Sequence, residues 1–419
     1  MSTPSVAEAP KPKRVNLRRP DIMEAVREQV ELHYRSQIVE KLRQRGGVLE
    51  AGGLKVRLAK EFGFCYGVER AIDLAYAARR VFPDQPIYIL GEIIHNPEVN
   101  EQLVAMGIKF LTGPIKSAGI DDLKEDDVVI IPAFGAEVAT MDKLKAKGCQ
   151  LVDTTCGDVM SVWKRVTQNA KEQFTSIIHG KAKHEETKAT SSRATANGGG
   201  HYLVVLNLPE TDYVCNYIRH GGDKTEFLAK FDRAHSPGFD PEQHLESIGV
   251  ANQTTMLRTE TEEIQGRLRQ AMIDRYGAAE IDKHYRMFDT ICGATQERQD
   301  ALSEMLSVEK MNLLLVVGGY NSSNTSHLAE MSEERMPTFF IRNASKILSQ
   351  NAILHFNLHK QEEVMTENWL RAGNRYVGIT AGASCPNNLI DDTVRRLFNL
   401  RGINVDEMIA ASETVPPAP

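Results

Sequence analysis

Three cysteines, Cys65, Cys156 and Cys292, each stand where an apolar run ends and a helical pattern begins: in VRLAKEFGFCYGVE from Val56, LVDTTCGDV from Leu151 and MFDTICGATQER from Met287. Such a chain must build the same strand-to-helix turn three times. Each thiol lies among small residues at a helix start, where free backbone N–H groups and the helix dipole are expected to favour thiolate and lower its pKa. The three are far apart in the chain, and no short CxxC clip is present. A shared site therefore requires three separate units converging on one point. That arrangement suits an iron-sulfur cluster with three protein ligands.

The 419 residues accommodate two to four domains at about 100 to 200 residues each, and three is the natural number if each cysteine turn belongs to one. A 42% hydrophobic, 25% charged chain with net charge -6 gives no reason to expect nucleic-acid or anionic-membrane binding. No apolar run reaches the roughly 18 to 20 residues that span a bilayer, and the N-terminus lacks the order of a signal peptide. A cytoplasmic location is expected. Six cysteines then read as reduced thiols or metal ligands rather than a disulfide framework.

Residues 1–53 read as an N-terminal extension. Its first 20 residues, rich in Pro, Lys and Arg, are expected to be disordered, and Glu8, Asp21 and Glu24 interrupt the acid-poor composition of a transit peptide. Ile22, Val26, Val30, Ile38 and Leu42 recur near helical spacing and predict one amphipathic helix, ended by Gly46 and Gly47 and packed on the body or on a partner. Beyond it, β-rich runs at 87–90, 128–131, 176–179, 202–206, 313–317 and 376–380 alternate with helical patterns, the mark of parallel sheets. The expected division is three α/β domains, 54–156, 157–291 and 292–400, followed by a C-terminal tail, 401–419. Residues 231–247 read as a long loop.

Ligands of parallel α/β sheets gather beyond the carboxyl ends of strands. The turns there carry Glu92 and His95, His184-Glu185-Glu186-Thr187, Asn252-Gln253-Thr254-Thr255, Asn321-Ser322-Ser323-Asn324 and Ala381-Gly382-Ala383-Ser384. The last two place hydroxyl and amide side chains at predicted helix starts, where N–H groups, dipole and side-chain donors together hold a phosphate. No Walker ending occurs and no GxGxxG follows a strand, so a nucleotide is not indicated. Plainer readings exist. A single buried cysteine is usually inert core, Ser322, Ser323, Asn324 and Ser384 can serve as helix caps, His95 can be a turn residue, and His184 with its two glutamates a solvated helix start. Cys149, Cys215 and Cys385 lack the shared context and are assigned to the core. A structural zinc site, or an iron-sulfur redox sensor or scaffold without catalysis, would also use the three thiols.

The runs Phe64-Cys65-Tyr66-Gly67-Val68-Glu69-Arg70-Ala71, His95-Asn96-Pro97, Asp153-Thr154-Thr155-Cys156, His184-Glu185-Glu186-Thr187, Asn252-Gln253-Thr254-Thr255, Ile291-Cys292-Gly293-Ala294-Thr295, Asn321-Ser322-Ser323-Asn324 and Thr380-Ala381-Gly382-Ala383-Ser384 occur in the order of one family. Over 54–400 the chain resembles the 4-hydroxy-3-methylbut-2-enyl diphosphate reductases, which close the methylerythritol phosphate route to isoprenoids. The Ala133-Phe134-Gly135 turn and the extension resemble the cyanobacterial and plastid branch. The resemblance implies three similar α/β domains, with parallel-rich sheets flanked by helices, in a trefoil around a central iron-sulfur cluster. Cys65, Cys156 and Cys292 would hold a 4Fe-4S cluster with an open apical iron, prone to decay to 3Fe-4S or to loss on oxidation.

The implied reaction is a two-electron, two-proton dehydroxylation giving isopentenyl and dimethylallyl diphosphate. By the same resemblance Glu186 delivers the proton and Thr254 bonds the substrate hydroxyl and orients Glu186. His95, His184, Ser322, Ser323, Asn324 and Ser384 hold the diphosphate, and Thr295 and Gln253 line the pocket. A ferredoxin or flavodoxin is the expected electron donor, since the chain carries no nicotinamide or flavin fingerprint. Many family members have a histidine where this chain has Phe134, so one phosphate ligand is missing.

Overall fold

Short aliphatic runs make the strands. Val128–Ile131 (VVII) and Leu313–Val317 (LLLVV) are buried at every position, as strands covered by helices on both faces must be. The computed structural model describes residues 17–196, 198–308, 310–373 and 375–413, so most of the start expected to be disordered lies outside the described residues.

Among these residues the strands form three sheets. The first orders Ile108–Phe110, Ile87–Ile89, Val128–Ile131 and Gln150–Asp153, all parallel. The second orders Tyr202–Val205, Thr175–His179, Ile248–Asn252 and Tyr285–Met287, again all parallel. The third has the same parallel core: Thr338–Ile341, Leu313–Val317, Arg375–Ala381 and Leu54–Leu58. Here the fourth strand comes from the N-terminal side of the chain. This corrects the expected start of the first domain at 54, because Leu54–Leu58 completes the third sheet. Antiparallel additions, Val48–Ala51 on one edge and the hairpin Ala352–Asn357 with Glu362–Glu367 on the other, bring the third sheet to seven strands.

The fourth strand of each sheet leads out of one unit and into the first helix of the next. Leu54–Leu58 leads to the helix Tyr66–Val81, whose Ala71, Ile72 and Ala75 pack in the first unit's core. Gln150–Asp153 leads to Gly157–Lys171, which lies against the second sheet. Tyr285–Met287 leads to Gly293–Val308, whose Leu302 and Met305 pack in the third. The three crossings are where the cysteines sit.

The extension is two helices rather than one, Pro20–Tyr34 and Gln37–Gln44. Ser36 interrupts them in an extended conformation and caps the second, its hydroxyl accepting from Val39 N at 3.1 Å. A capping side chain satisfies an otherwise orphaned N–H, and this local gain outweighs continuation of the helical spacing. The first helix buries Ile22 and Val26 in the first unit, with Tyr76 Oη donating to Tyr34 at 3.1 Å. The second buries Ile38, Val39 and Leu42 in the third unit. The extension therefore clamps two units of its own chain. Of the expected C-terminal tail, residues 401–413 are docked, because the helix Val405–Glu413 sends Val405 and Ile409 into the third core, and 414–419 lie outside the described residues. Within 231–247 the chain is mostly irregular, with a short helix Pro241–His244 and with Phe231, Phe239 and Leu245 buried.

Candidate active site

Cys65 and Cys156 are the residues immediately before their helices, and Cys292 directly precedes Gly293–Val308. Each is fixed by one backbone bond to the turn leaving the neighbouring strand. Cys65 N donates to Ala383 O at 3.2 Å, Cys156 N to Ala133 O at 2.8 Å and Cys292 N to Thr254 O at 3.2 Å. Three equivalent crossings thus aim three thiols into one cavity of about 610 Å³. Gly67 makes the approach possible, since a Cβ there would stand 2.6 Å from Cys156 Sγ and 3.9 Å from Cys65 Sγ.

At Cys156 and Cys292 the expected lowering of thiol pKa does not occur. Burial pushes Cys156 up and Cys292 up to about 12, although N–H groups of Asp158 and Val159 bond the first and Thr295 bonds the second. Helix-end donors are worth a fraction of the desolvation penalty when no cation stands beside the sulfur.

Glu186 enters from the helix Glu185–Thr195, capped by His184. Its carboxyl is buried, and Oε1 accepts from Thr254 N at 2.6 Å and Oε2 from Thr254 Oγ1 at 3.1 Å. Burial raises its pKa to about 7, against the lowering effect of the two Thr254 bonds and the nearby His95. Such a carboxyl keeps a proton near neutral pH and can release it, as a general acid must. Thr295 lines the cavity beside it. Gln253 does not. Its Oε1 accepts from Lys181 N at 3.2 Å and Thr187 Oγ1 at 3.1 Å, tying two turns together behind the wall.

Another wall of the cavity is the start of the helix Ser323–Glu333, capped by Ser322. Ser322 Oγ accepts from Thr325 N, Thr325 Oγ1 and Ser384 Oγ, at 3.4, 3.0 and 3.3 Å. Asn324 Oδ1 accepts from Ala383 N at 2.9 Å, which leaves its Nδ2 for the cavity. Ser323 Oγ and Asn324 Nδ2 are both buried without a partner. Buried donors are nearly always satisfied, so two orphans at one helix start call for an acceptor. Capping is the role of Ser322 alone among the four candidates on this wall.

Between the two walls His95 Nε2 stands 3.2 Å from His184 Nε2. Burial, then the charges of His95, Lys181 and Lys188, hold His184 well below the ordinary histidine range. Phe134 stacks on the His95 ring at 4.7 Å and 11°. In place of a further histidine, the chain has an apolar plate that fixes the orientation of the His95 ring. Sequence reasoning gave no role to Glu92, which bonds His95, or to Asn321, which bonds Glu92. Their sequence signal is position beyond a strand end and, for Asn321, a place in the Asn321-Ser322-Ser323-Asn324 run.

A family profile described as "LytB protein" matches residues 56–398. The chain is 48% identical over 383 residues, 90% of each chain, to the 4-hydroxy-3-methylbut-2-enyl diphosphate reductase of Gloeobacter violaceus. It is 47% identical over 384 residues to the Thermosynechococcus vestitus protein of the same name, covering 91% of this chain and 93% of that one. Among solved structures, one described as (E)-4-hydroxy-3-methyl-but-2-enyl diphosphate reductase, the terminal enzyme of the non-mevalonate pathway, aligns at 26% identity and TM-score 0.50. The alignment covers 82% of this chain and 99% of that one. The Plasmodium falciparum reductase aligns with TM-score 0.60 at 23% identity over 81% and 86% of the two chains, which speaks for the fold alone.

Proposed function

The chain belongs to the LytB protein family, and from that membership and the cavity we propose that it removes the 4-hydroxyl of (E)-4-hydroxy-3-methylbut-2-enyl diphosphate reductively, yielding isopentenyl and dimethylallyl diphosphate. It is an oxidoreductase of isoprenoid synthesis, the terminal step of the methylerythritol phosphate route. The observation that carries this reading is the pairing, in one cavity, of a buried carboxyl poised near pH 7 with orphaned donors at a helix start.

The three thiols fit an iron-sulfur cluster better than a single ion. Two thiolates on one zinc lie about 3.8 Å apart, from Zn–S bonds of about 2.3 Å in a tetrahedron. Among the described residues the only trio of His, Cys, Asp or Glu ligand atoms within 4.8 Å of one another is on His95, His184 and Glu185. At least one pair of the three sulfurs is therefore more than 4.8 Å apart, wider than two ligands of one ion, and Gly67 leaves room beside Cys156 Sγ and Cys65 Sγ. Held by Cys65, Cys156 and Cys292, a 4Fe-4S cluster supplies electron transfer and a Lewis-acidic iron.

The chain's own residues do the rest. Ser322, Ser323, Asn324 and Ser384 offer neutral donors to the diphosphate, and the helix start adds its N–H groups and dipole. His95 and His184 meet the same anion from the first and second units. Anchored by its diphosphate, the substrate presents its allylic end to Glu186, which lines the same cavity. Hydroxide is a poor leaving group, so Glu186 gives its proton to the departing oxygen, an effect typically worth about 10² to 10⁴-fold. Thr254 donates to both carboxyl oxygens, which fixes the direction in which the proton is offered. A ferredoxin or flavodoxin supplies the electrons. Among the described residues no helix is long and apolar enough to cross a membrane.

The test is an anaerobic assay of the reconstituted chain with this substrate and a reduced viologen. Dye oxidation with formation of the two C5 diphosphates is expected. No product from protein shown to hold its full iron content would return the chain to the sensor or scaffold reading.

A further inference from the structure

Glu92 lies in the turn after Ile87–Ile89 and takes no part in the reaction described above. Its side chain is only 14% exposed. Its Oε2 accepts from His95 Nδ1 at 2.9 Å and from Asn321 Nδ2 at 2.6 Å. The second bond crosses from the first unit to the third. Gly319 permits the close approach, since a Cβ there would lie 2.3 Å from His95 O.

These bonds assign the protons on both imidazoles. His184 Nδ1 accepts from Glu186 N at 3.2 Å, so neutral His184 carries its proton on Nε2. That proton is donated to His95 Nε2 at 3.2 Å, which must then be a lone pair, and the proton of His95 sits on Nδ1 facing Glu92. In this state neither imidazole has a donor free for an anion. His184 spends its donor on His95, and His95 spends its own on Glu92. If His95 Nε2 gains a proton, two N–H groups face one another, their bond breaks and both become available to an anion.

The other charges facing His95 are Glu185, 3.9 Å from its Nε2, Glu186 through the field between them, and Lys181 and Lys188, which act on the adjoining His184. Phe134 closes one face of the ring without charge. Glu92 is the carboxylate hydrogen-bonded to the ring.

We propose that Glu92 is a positioning residue of the anion site: it holds His95 Nδ1–H and balances the charge His95 acquires when, as a diphosphate enters, Nε2 takes a proton from solvent. Anion binding and protonation of His95 are one event, and Glu92 is what couples them. The proposal rests on the reading of this cavity as a diphosphate site.

The test is calorimetric binding of inorganic diphosphate to the full chain above neutral pH, in two buffers of different ionisation heat, for wild type, Glu92→Gln and Glu92→Asp. The expected result is net proton uptake by wild type and Glu92→Asp that is lost in Glu92→Gln. The affinity of Glu92→Gln falls roughly 10- to 100-fold, the size of one lost charge-assisted hydrogen bond. KM for the substrate rises in parallel and kcat stays within a few-fold. Equal proton uptake by wild type and Glu92→Gln, or no uptake by wild type, overturns the coupling even if affinity changes. Failure of wild type to bind diphosphate at all overturns the diphosphate site itself, and with it this inference.

Discussion

The two walls of the cavity are built on opposite principles. On the Ser323–Glu333 side the polar groups are neutral donors, two of them buried with nothing to bond. On the Glu185–Thr195 side the key group is an acid whose two oxygens are both bonded by Thr254. An unfilled donor set waits for an anion and stores no proton. A satisfied, buried carboxyl waits for a base and offers an anion nothing. The difference separates anchoring from chemistry, so substitutions on the two walls should fail in different ways.

The largest effect should come where both walls depend on the same floor. Gly67→Ala drives a Cβ to 2.6 Å from Cys156 Sγ, and Cys156→Ser removes that sulfur. Both variants should lose the iron and visible colour of reconstituted protein and all turnover, while circular dichroism keeps the fold. Full iron in Cys156→Ser would dissolve the three-thiol site. Next comes Glu186→Gln, which keeps the Thr254 bonds in part and cannot give up a proton. Its kcat should drop about 10² to 10⁴-fold with KM and iron content near wild type. Near-normal turnover would remove Glu186 from the reaction.

Ser323→Ala should do the reverse. Losing one donor to a charged group costs about 1.5 to 3 kcal/mol, a rise in KM of roughly 10- to 100-fold, with kcat little changed. Because Ser323 Oγ has no partner in the protein, thermal stability should hold or rise slightly, whereas a cap such as Ser322→Ala should lose about 1 kcal/mol. A stability loss in Ser323→Ala matching that of Ser322→Ala would erase the distinction between binding donor and cap.

The smallest effect is on stability against pH. Folding raises the Glu186 pKa from 4.5 to about 7, so the folded chain binds this proton more tightly than the unfolded one. Its stabilising contribution is complete below the ordinary value and is lost as pH rises through about 7. The difference in melting temperature between wild type and Glu186→Gln should therefore drift across that window, against wild type at the alkaline end. No drift would mean that the carboxyl is not buried as described.

Much of this was legible in the sequence because local patterns decide it. The strands 128–131 and 313–317 stand where the apolar runs place them, and the three cysteines stand at their helix starts. What escaped was set by partners distant in the chain. Leu54–Leu58 looks like the first strand of the unit that follows it, yet it pairs with Arg375–Ala381, and no local signal carries that register. Gln253 sits within a motif but turns away from the cavity because Thr187 and Lys181 need its carbonyl. The pKa values of Cys156 and Cys292 went the other way because burial, which depends on the units closing around them, outweighs a helix start. One miss was local: the single predicted helix became two because Ser36 caps the second within its own first turn.

The most direct test is an infrared titration of the protonated-carboxyl stretching band in wild type and Glu186→Gln. A band that titrates with a midpoint near 7 and is missing from Glu186→Gln would establish a proton held on the chemical wall and absent from the anchoring one. A wild-type band already gone by the ordinary carboxyl range, about 4 to 5, would contradict it.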